Sequence, residues 1–295
     1  MRQNLLQTAF FTGLVLTMAP QARAGTGLTL LKVESGARPS AMGEAFVSIA
    51  GDPLSQRYNP AATVGGPEFT AYLGHTAYWE NVTFETAFMT LQRGKFRYSF
   101  GARLAQISDL EARSDVASVD PLFLFESRDI SLKFGVAYPF SEKLSIGVAG
   151  GWIIEKISFF KSSSFNMDIG ALYSHDERLS FGLSVANVGQ DIRFVGSDIS
   201  LPTTVRAGAS YRQGDFLLSA DGIHVDDEFH AHVGAEYTRI ERLALRAGFQ
   251  SGYDSKNVTA GLGFSERDIR VDYAFVPYRN DLGTTHQFGL SILLD

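Results

Sequence analysis

The chain has no cysteine, so whatever compartment it folds in, it holds together without disulfides. Beyond its N-terminal stretch it has no uninterrupted apolar run of the length a transmembrane helix needs. Tryptophan is scarce, at two residues against 23 phenylalanines and 29 glycines, a balance that fits a sheet-rich chain. Charge of one sign is also lacking. The net charge of -6 is mild, and the scattered Lys and Arg leave no basic stripe of the kind that marks nucleic-acid binding.

The N-terminus carries the order of a secretory signal peptide. Met1-Arg2 is a short positive region, Leu5 to Met18 is largely apolar and uncharged, Pro20 breaks the run, and Ala22-Arg23-Ala24 offers a cleavage site before Gly25. The expectation is therefore a cleaved signal peptide over residues 1–24, an N-terminal segment over 25–66, and a main domain over 67–295.

From about Glu68 onward, apolar and polar residues alternate with a period of two. Phe96, Tyr98, Phe100, Ala102 and Leu104 share one face, with Arg97, Ser99, Gly101 and Arg103 on the other. The same split recurs along Ile130–Tyr138, Leu179–Val185, Val205–Tyr211, Phe229–Tyr237, Leu243–Phe249, Val258–Phe264, Ile269–Phe275 and Phe288–Leu294, with further runs between. This predicts about fourteen strands of roughly nine to twelve residues, the length a tilted strand needs to cross a bilayer. Tight connections at Arg93-Gly94, Pro139 to Glu142, Ser174 to Glu177, Gln213 to Asp215, Ile240 to Arg242 and Glu266 to Asp268 alternate with mostly longer ones, notably 107–127, 188–202, 251–257 and 278–284. Short turns at one end and long loops at the other belong to a barrel in a membrane. A soluble sandwich has no reason to sort its loops this way. The fold class expected is all-β: a transmembrane antiparallel β-barrel with a short N-terminal plug. Its lipid partner is the outer-membrane bilayer, and its termini lie on the periplasmic side.

The face opposite the apolar one collects glycines, among them Gly101, Gly135, Gly147, Gly151, Gly170, Gly182, Gly234, Gly248 and Gly289. Interior strand glycines mark bends or another segment's close approach, so this face has room for a plug, and Gly147 and Gly151 on one strand are candidates for a wall kink. The same face carries Arg97, Arg103, Lys133, Asp168, Arg206, Arg212, Asp221, Glu236, Arg246, Arg270 and Asp272. Mixed signs point to internal ion pairs or plug contacts rather than to a single-sign pore.

No constellation points to catalysis, cofactor or metal. His230 and His232 with Glu236 share a strand face, but a zinc site needs three or four converging ligands and no further partner stands out. No G-x-S-x-G motif selects a serine, and GLGFSE at 261–266 lies in a strand with no helix after it. Trp79 and Trp152 read as interfacial anchors.

The stretch Gly36 to Ala62 departs from the alternation. It is rich in small residues, carries Arg38, Glu44, Asp52 and Arg57, and ends in the turn-forming Asn59-Pro60. Met42, Ala45, Phe46 and Ile49 fall at helical spacing, so a short helix over Ala41–Ile49 is expected. Gly36-Ala37-Arg38, Ala41-Met42-Gly43-Glu44-Ala45-Phe46-Val47, Gly51-Asp52 and Tyr58-Asn59-Pro60-Ala61 resemble the opening of the PorV/PorQ family of outer-membrane proteins, related to FadL-type transporters. Glu44 stands where that family usually has a second glycine, Gly51 replaces an acidic residue, and Ala62 stands where glycine is usual. The resemblance implies a fourteen-stranded barrel with an N-terminal plug.

It also implies two functions. A FadL-like barrel is a passive conduit or binding site for hydrophobic small molecules. A PorV-like barrel is a non-enzymatic component of type IX secretion machinery that holds exported cargo through its external loops. The apolar patch Pro121, Leu122, Phe123, Leu124 and Phe125 in the first long loop would serve either ligand.

Overall fold

The computed structural model describes residues 28–33, 36–78, 82–115, 119–194 and 196–295. The expected signal peptide and Trp79 lie outside these residues.

Sixteen strands form: β1 (Phe69–Ala77), β2 (Val82–Arg93), β3 (Phe96–Ala112), β4 (Phe123–Pro139), β5 (Leu144–Ile157), β6 (Phe160–Ser174), β7 (Leu179–Gly189), β8 (Ile192–Phe194), β9 (Ser197–Ile199), β10 (Thr204–Gln213), β11 (Phe216–Val225), β12 (Glu228–Ile240), β13 (Leu243–Ser251), β14 (Val258–Glu266), β15 (Ile269–Pro277) and β16 (Thr284–Leu294). Fourteen of them close into an antiparallel barrel, each paired with its neighbour in sequence, while β8 and β9 form a separate hairpin between β7 and β10. Closure is complete: β1 pairs with β16 from Phe69 opposite Leu294 to Ala77 opposite His286. A closed barrel has no free edge, so the strands pair with one another all the way round, as a hydrocarbon surrounding demands.

The outer face is the apolar one. Phe100, Leu132, Phe134, Val148, Trp152, Phe264 and Phe288 point away from the lumen and are exposed, the arrangement that suits lipid rather than water. The opposite face is buried against the plug. Arg97, Arg103, Asp168, Arg206, Asp221, Glu236, Arg246 and Asp272 are each at most 5% exposed. Arg212 is the exception, exposed near the end of β10.

Two features of the wall differ from the sequence expectation. β3 and β4 run 17 residues each, and β5 and β6 run 14 and 15, longer than a span requires. Their added lengths are polar on the outside (Glu126, Arg128 and Lys156, which form ion pairs there), so the apolar alternation stops before the strands do. Loop sorting is also partial, because the turns 158–159 and 226–227 at the long-loop end are themselves tight.

The expected kink at Gly147 and Gly151 is not a break in pairing. β5 stays in register with β4 from Ser127 opposite Ile157 to Pro139 opposite Ser145, and equally with β6. Register shifts fall instead between β6 and β7 around Met167 and Ile169, in β3 between Ile107 and Leu110, and at Tyr237 to Ile240 of β12. Gly147 and Gly151 have a different reason to lack a Cβ. At Gly147 the plug backbone at Pro60 and Ala61 occupies that position, and at Gly151 the Leu132 carbonyl of β4 does.

Candidate functional site: the plug and its seat

The described residues from Leu28 to Val33 and from Gly36 to Gly66 thread the lumen. The N-terminal part lies at the long-loop end, where Leu28, Leu30 and Leu31 pack with Phe84, Ile153, Ile192 and Leu201. The C-terminal part is fastened near the other end by Arg97, whose Nε donates to Thr63 O at 2.9 Å and Nη1 to Pro67 O at 2.6 Å. The plug thus runs the length of the barrel before the chain enters β1.

The expected helix over Ala41–Ile49 does not form. The helices are α1 (Ala37–Ala41) and α2 (Ser55–Tyr58). Gly43 and Glu44 both adopt left-handed backbone, with φ of 61° and 59°, which ends a right-handed helix. The wall stabilises this turn. Gly43 N–H donates to Thr259 Oγ1 at 3.1 Å, and its carbonyl accepts from Gln250 Nε2 at 3.1 Å. Met42, Phe46 and Ile49 still meet Tyr58 and Leu217 in one buried cluster, so the apolar spacing reflects packing without a helix.

The small residues of the motif mark where plug and wall backbones approach. Ala41 lies over Gly261, Met42 over Gly234, Gly43 over Gly248, Val47 over Gly182, and Asn59 over Gly170. A side chain at any of these wall positions would overlap plug atoms. Gly36 adopts φ 91°, and an added Cβ there would lie 2.5 Å from Leu54 Cδ1. Asn59 is the pin of the second turn: its Oδ1 accepts from Ala61 N at 3.0 Å, while Nδ2 donates to Val47 O and to Ala171 O, each at 2.9 Å. Pro60 follows at the first position of a short 3-10 turn, where its lack of an N–H costs nothing. Ala37 N–H donates to the hydroxyl of buried Tyr72 at 3.1 Å.

The charges of the motif join those of the wall. Arg38 donates from Nε and Nη2 to both oxygens of Glu236, at 2.8 and 2.7 Å, and from Nη1 to Asp52 at 2.7 Å. Asp52 also accepts from Arg270 at 2.7 Å, while Arg246 bridges Glu236 and Asp272 at 2.7 Å each. Three guanidiniums and three carboxylates therefore alternate in a dry, balanced network, each charge hydrogen-bonded as burial requires. Burial alone would raise the Asp52 carboxyl, but Arg270, Arg38 and the Leu54 N–H outweigh it and hold it at about 2. Burial lowers the Arg38 guanidinium, but Glu236 and Asp52 raise it by more, so it stays charged.

The other half of the lumen is built differently. Glu44 accepts from the Tyr58 hydroxyl at 3.0 Å, and Arg206 stands over the Tyr58 ring, 5.3 Å from its centre. His230 stacks on Tyr253 at 4.0 Å, and His232 Nε2 meets the Tyr253 hydroxyl at 3.0 Å. Glu236, the third member of that strand-face trio, is committed to Arg38 and Arg246. Among the described residues, no group of three or more His, Asp or Glu side chains converges as a metal site.

The external patch is brought together in part. Phe123 and Phe125 open β4 with ring centres 6.2 Å apart, and Phe159 from the β5–β6 turn lies 6.1 Å from Phe123. Phe159 is 86% exposed, and Leu122 and Leu124 are exposed as well. Pro121 is half-buried. The sequence reading missed Phe159, and also Phe160, which meets Phe194 of the β8–β9 hairpin. Both sit beside the β5–β6 turn, outside the alternating runs that drew attention.

The family model of "Type IX secretion system protein PorV" matches residues 18–233, most of the chain and all of the plug motif. The chain belongs to the PorV family. No curated protein matches it. Its fold is similar to that of the Pseudomonas putida toluene transporter TodX, with 14% identity, a TM-score of 0.65, and coverage of 92% of this chain and 98% of that one. It is similar also to the CymD monoaromatic hydrocarbon channel, with 14% identity, a TM-score of 0.62, and coverage of 87% and 96%. A Pseudomonas aeruginosa FadL homologue matches with 12% identity, a TM-score of 0.59, and coverage of 92% and 100%. The protein is thus a PorV-type, FadL-like barrel of the outer-membrane class.

Proposed function

We propose that this PorV-type barrel, exported by a cleaved signal peptide over residues 1–24, acts without catalysis as a passive conduit or binding site for a hydrophobic small molecule. The observation that carries this reading is the mouth of the barrel. Exposed Phe123, on a strand that projects beyond the apolar band, stands beside Phe159 of the β5–β6 turn, and the plug's N-terminal residues Leu28, Leu30 and Leu31 form an apolar cluster with Ile192 and Leu201. An aromatic surface beside a dry apolar cluster gives a lipophile a place to leave water. The toluene transporter and the hydrocarbon channel share the fold, which supports the same class of ligand. Passage requires the plug to shift, because the ion pairs of Arg38 to Glu236 and of Asp52 to Arg270 and the plug's close seat on wall glycines close the lumen.

A second reading is favoured by the family match and by the same projecting strands: a component of type IX-like secretion machinery that holds cargo on the external aromatic face. One experiment separates the two. The tagged protein is purified from its own outer membranes in mild detergent and analysed for lipids and proteins together. A stoichiometric lipophile without a protein partner supports the conduit. A secretion complex, or cargo with a shared C-terminal domain and no lipophile, overturns it in favour of the second reading.

A further inference from the structure

Between the plug and wall strands β2–β4 and β7 lies a cavity of about 20 Å³, room for a single particle of water or halide size. Its lining is rich in donors. Gln56 and Arg57 reach it from the plug, and Arg103, Ser131, Lys133 and Asn187 from the wall. Gln56 is 1% exposed, and neither atom of its amide has a hydrogen-bond partner. Arg103 is 5% exposed, and its Nε is likewise without a partner. A buried donor left unsatisfied is destabilising, and more so when the group is charged.

The charge count here differs from the balanced network around Arg38. Arg57 spends a donor on Leu31 O at 2.5 Å, and Arg103 spends one on Val33 O at 3.0 Å. Neither has a carboxylate within 4.0 Å among the described residues. The nearby acids bond elsewhere: Asp168 to Lys133 and to Asn187 N–H, Glu44 to the Tyr58 hydroxyl, and Asp221 through Oδ2 to the Phe46 and Val47 N–H groups. Burial, and then the charge of Arg206, push the Arg57 guanidinium below its ordinary value. A water in the cavity would satisfy donors but leave the like charges facing one another. An acceptor carrying a negative charge answers both needs.

We propose that this cavity binds one small inorganic anion of the halide class, held by Arg103 Nε, the Gln56 amide N–H and Arg57, and that the anion latches the plug to the wall. The volume excludes phosphate and carboxylate ligands. Gln56 presents its amide nitrogen to the ion while Oε1 turns toward Gly101, where an added Cβ would lie only 2.8 Å away. Two holders come from the plug and one from β3, so the ion bridges the parts that must separate for the lumen to open. This inference stands on the lumen geometry and does not depend on which ligand the mouth takes.

The test uses the full-length protein in detergent. Crystals grown with bromide in place of chloride should give an anomalous peak within hydrogen-bond distance of Arg103 Nε and Gln56. The melting temperature should rise by about 3 °C in saturating chloride or bromide over gluconate of equal ionic strength, and Gln56→Leu should abolish that rise. Arg103→Gln should do the same, but the wild-type diffraction decides even if that variant does not fold. No peak in bromide, with equal melting in chloride and gluconate, would assign the cavity to water. A peak with no halide effect on melting would mark an adventitious ion only, and either result overturns the latch.

Discussion

Arg38 of the plug and Glu236 of β12, 198 residues apart in sequence, share two parallel hydrogen bonds of 2.8 and 2.7 Å inside the barrel. The pair carries geometric as well as electrostatic specificity, and Asp52 and Arg246 extend it in both directions. Removing one member leaves the others charged and dry. Arg38→Ala is expected to weaken plug docking by about 3–5 kcal/mol, the usual effect of breaking one partner of a buried ion pair. Asp52→Ala should act in the same direction, since it removes one carboxylate partner from each of Arg38 and Arg270. Leak conductance in planar bilayers checks both. If each single variant stays as tight as wild type, the ion pairs do not hold the plug.

The same network sets a pH dependence. Asp52 sits at about 2 when the plug is docked and near the ordinary value of about 3.9 when it is released. Because its docked value is depressed, its contribution is complete above about pH 4 and is lost as pH falls through about 2. A shift of that size contributes about 2–3 kcal/mol. Conductance recorded from pH 7 downward should therefore be flat to about pH 4 on account of this group, then rise. A rise on the alkaline side of neutrality alone would place the sensitive group elsewhere.

The sequence made the barrel legible because lipid and plug impose opposite demands on alternate residues. Phe100 and Phe134 face one way while Gly101 and Lys133 face the other, and a period of two survives any detail of loop geometry. The plug motif was legible as a motif, since its small residues must pass close to the wall. Its conformation was not. A helix over Ala41–Ile49 has the right spacing, yet Thr259 and Gln250, more than 200 residues away, stabilise left-handed Gly43 and Glu44 instead. The pairing of Arg38 with Glu236 rather than with another inward acid likewise depends on barrel closure, which no local pattern encodes. The lengths of β3 to β6 were hidden because, above the lipid band, outward residues turn polar and the alternation loses its contrast.

Gly147 gives a test of backbone contact between plug and wall. An added methyl there would meet Ala61 N, and would lie 2.5 Å from Pro60 C and 2.7 Å from Ala61 Cα. Backbone atoms cannot turn aside as a side chain does, so Gly147→Ala should push the second plug turn off the wall, at a cost of about 1–3 kcal/mol. Gly150, three residues along on the outer face, meets only the Phe165 ring, with Cζ at 3.1 Å, and Gly150→Ala is the control. Protease accessibility of the plug and leak conductance should both rise in the first variant and not in the second. Equal behaviour of the pair would mean that plug seating tolerates a displaced Pro60-Ala61.

Phe123 decides what the mouth is for. Its ring touches both Phe125 and Phe159, so a charge at this position alters the centre of the exposed aromatic face. The side chain lies beyond the ion pairs of Glu126, Arg128 and Lys156 and contributes little to the wall itself. Phe123→Asp is therefore expected to leave heat-modifiable gel mobility intact while weakening binding of a fluorescent fatty acid about tenfold or more, the loss of about 1.4 kcal/mol or more. Phe159→Ser, on the neighbouring turn, should reproduce it. Retained binding in both variants would remove the aromatic face from the lipophile's path. Loss of a secretion partner at unchanged lipophile binding would assign that face to protein contact instead, because a charge disrupts a dry protein interface as surely as it disrupts an apolar ligand site.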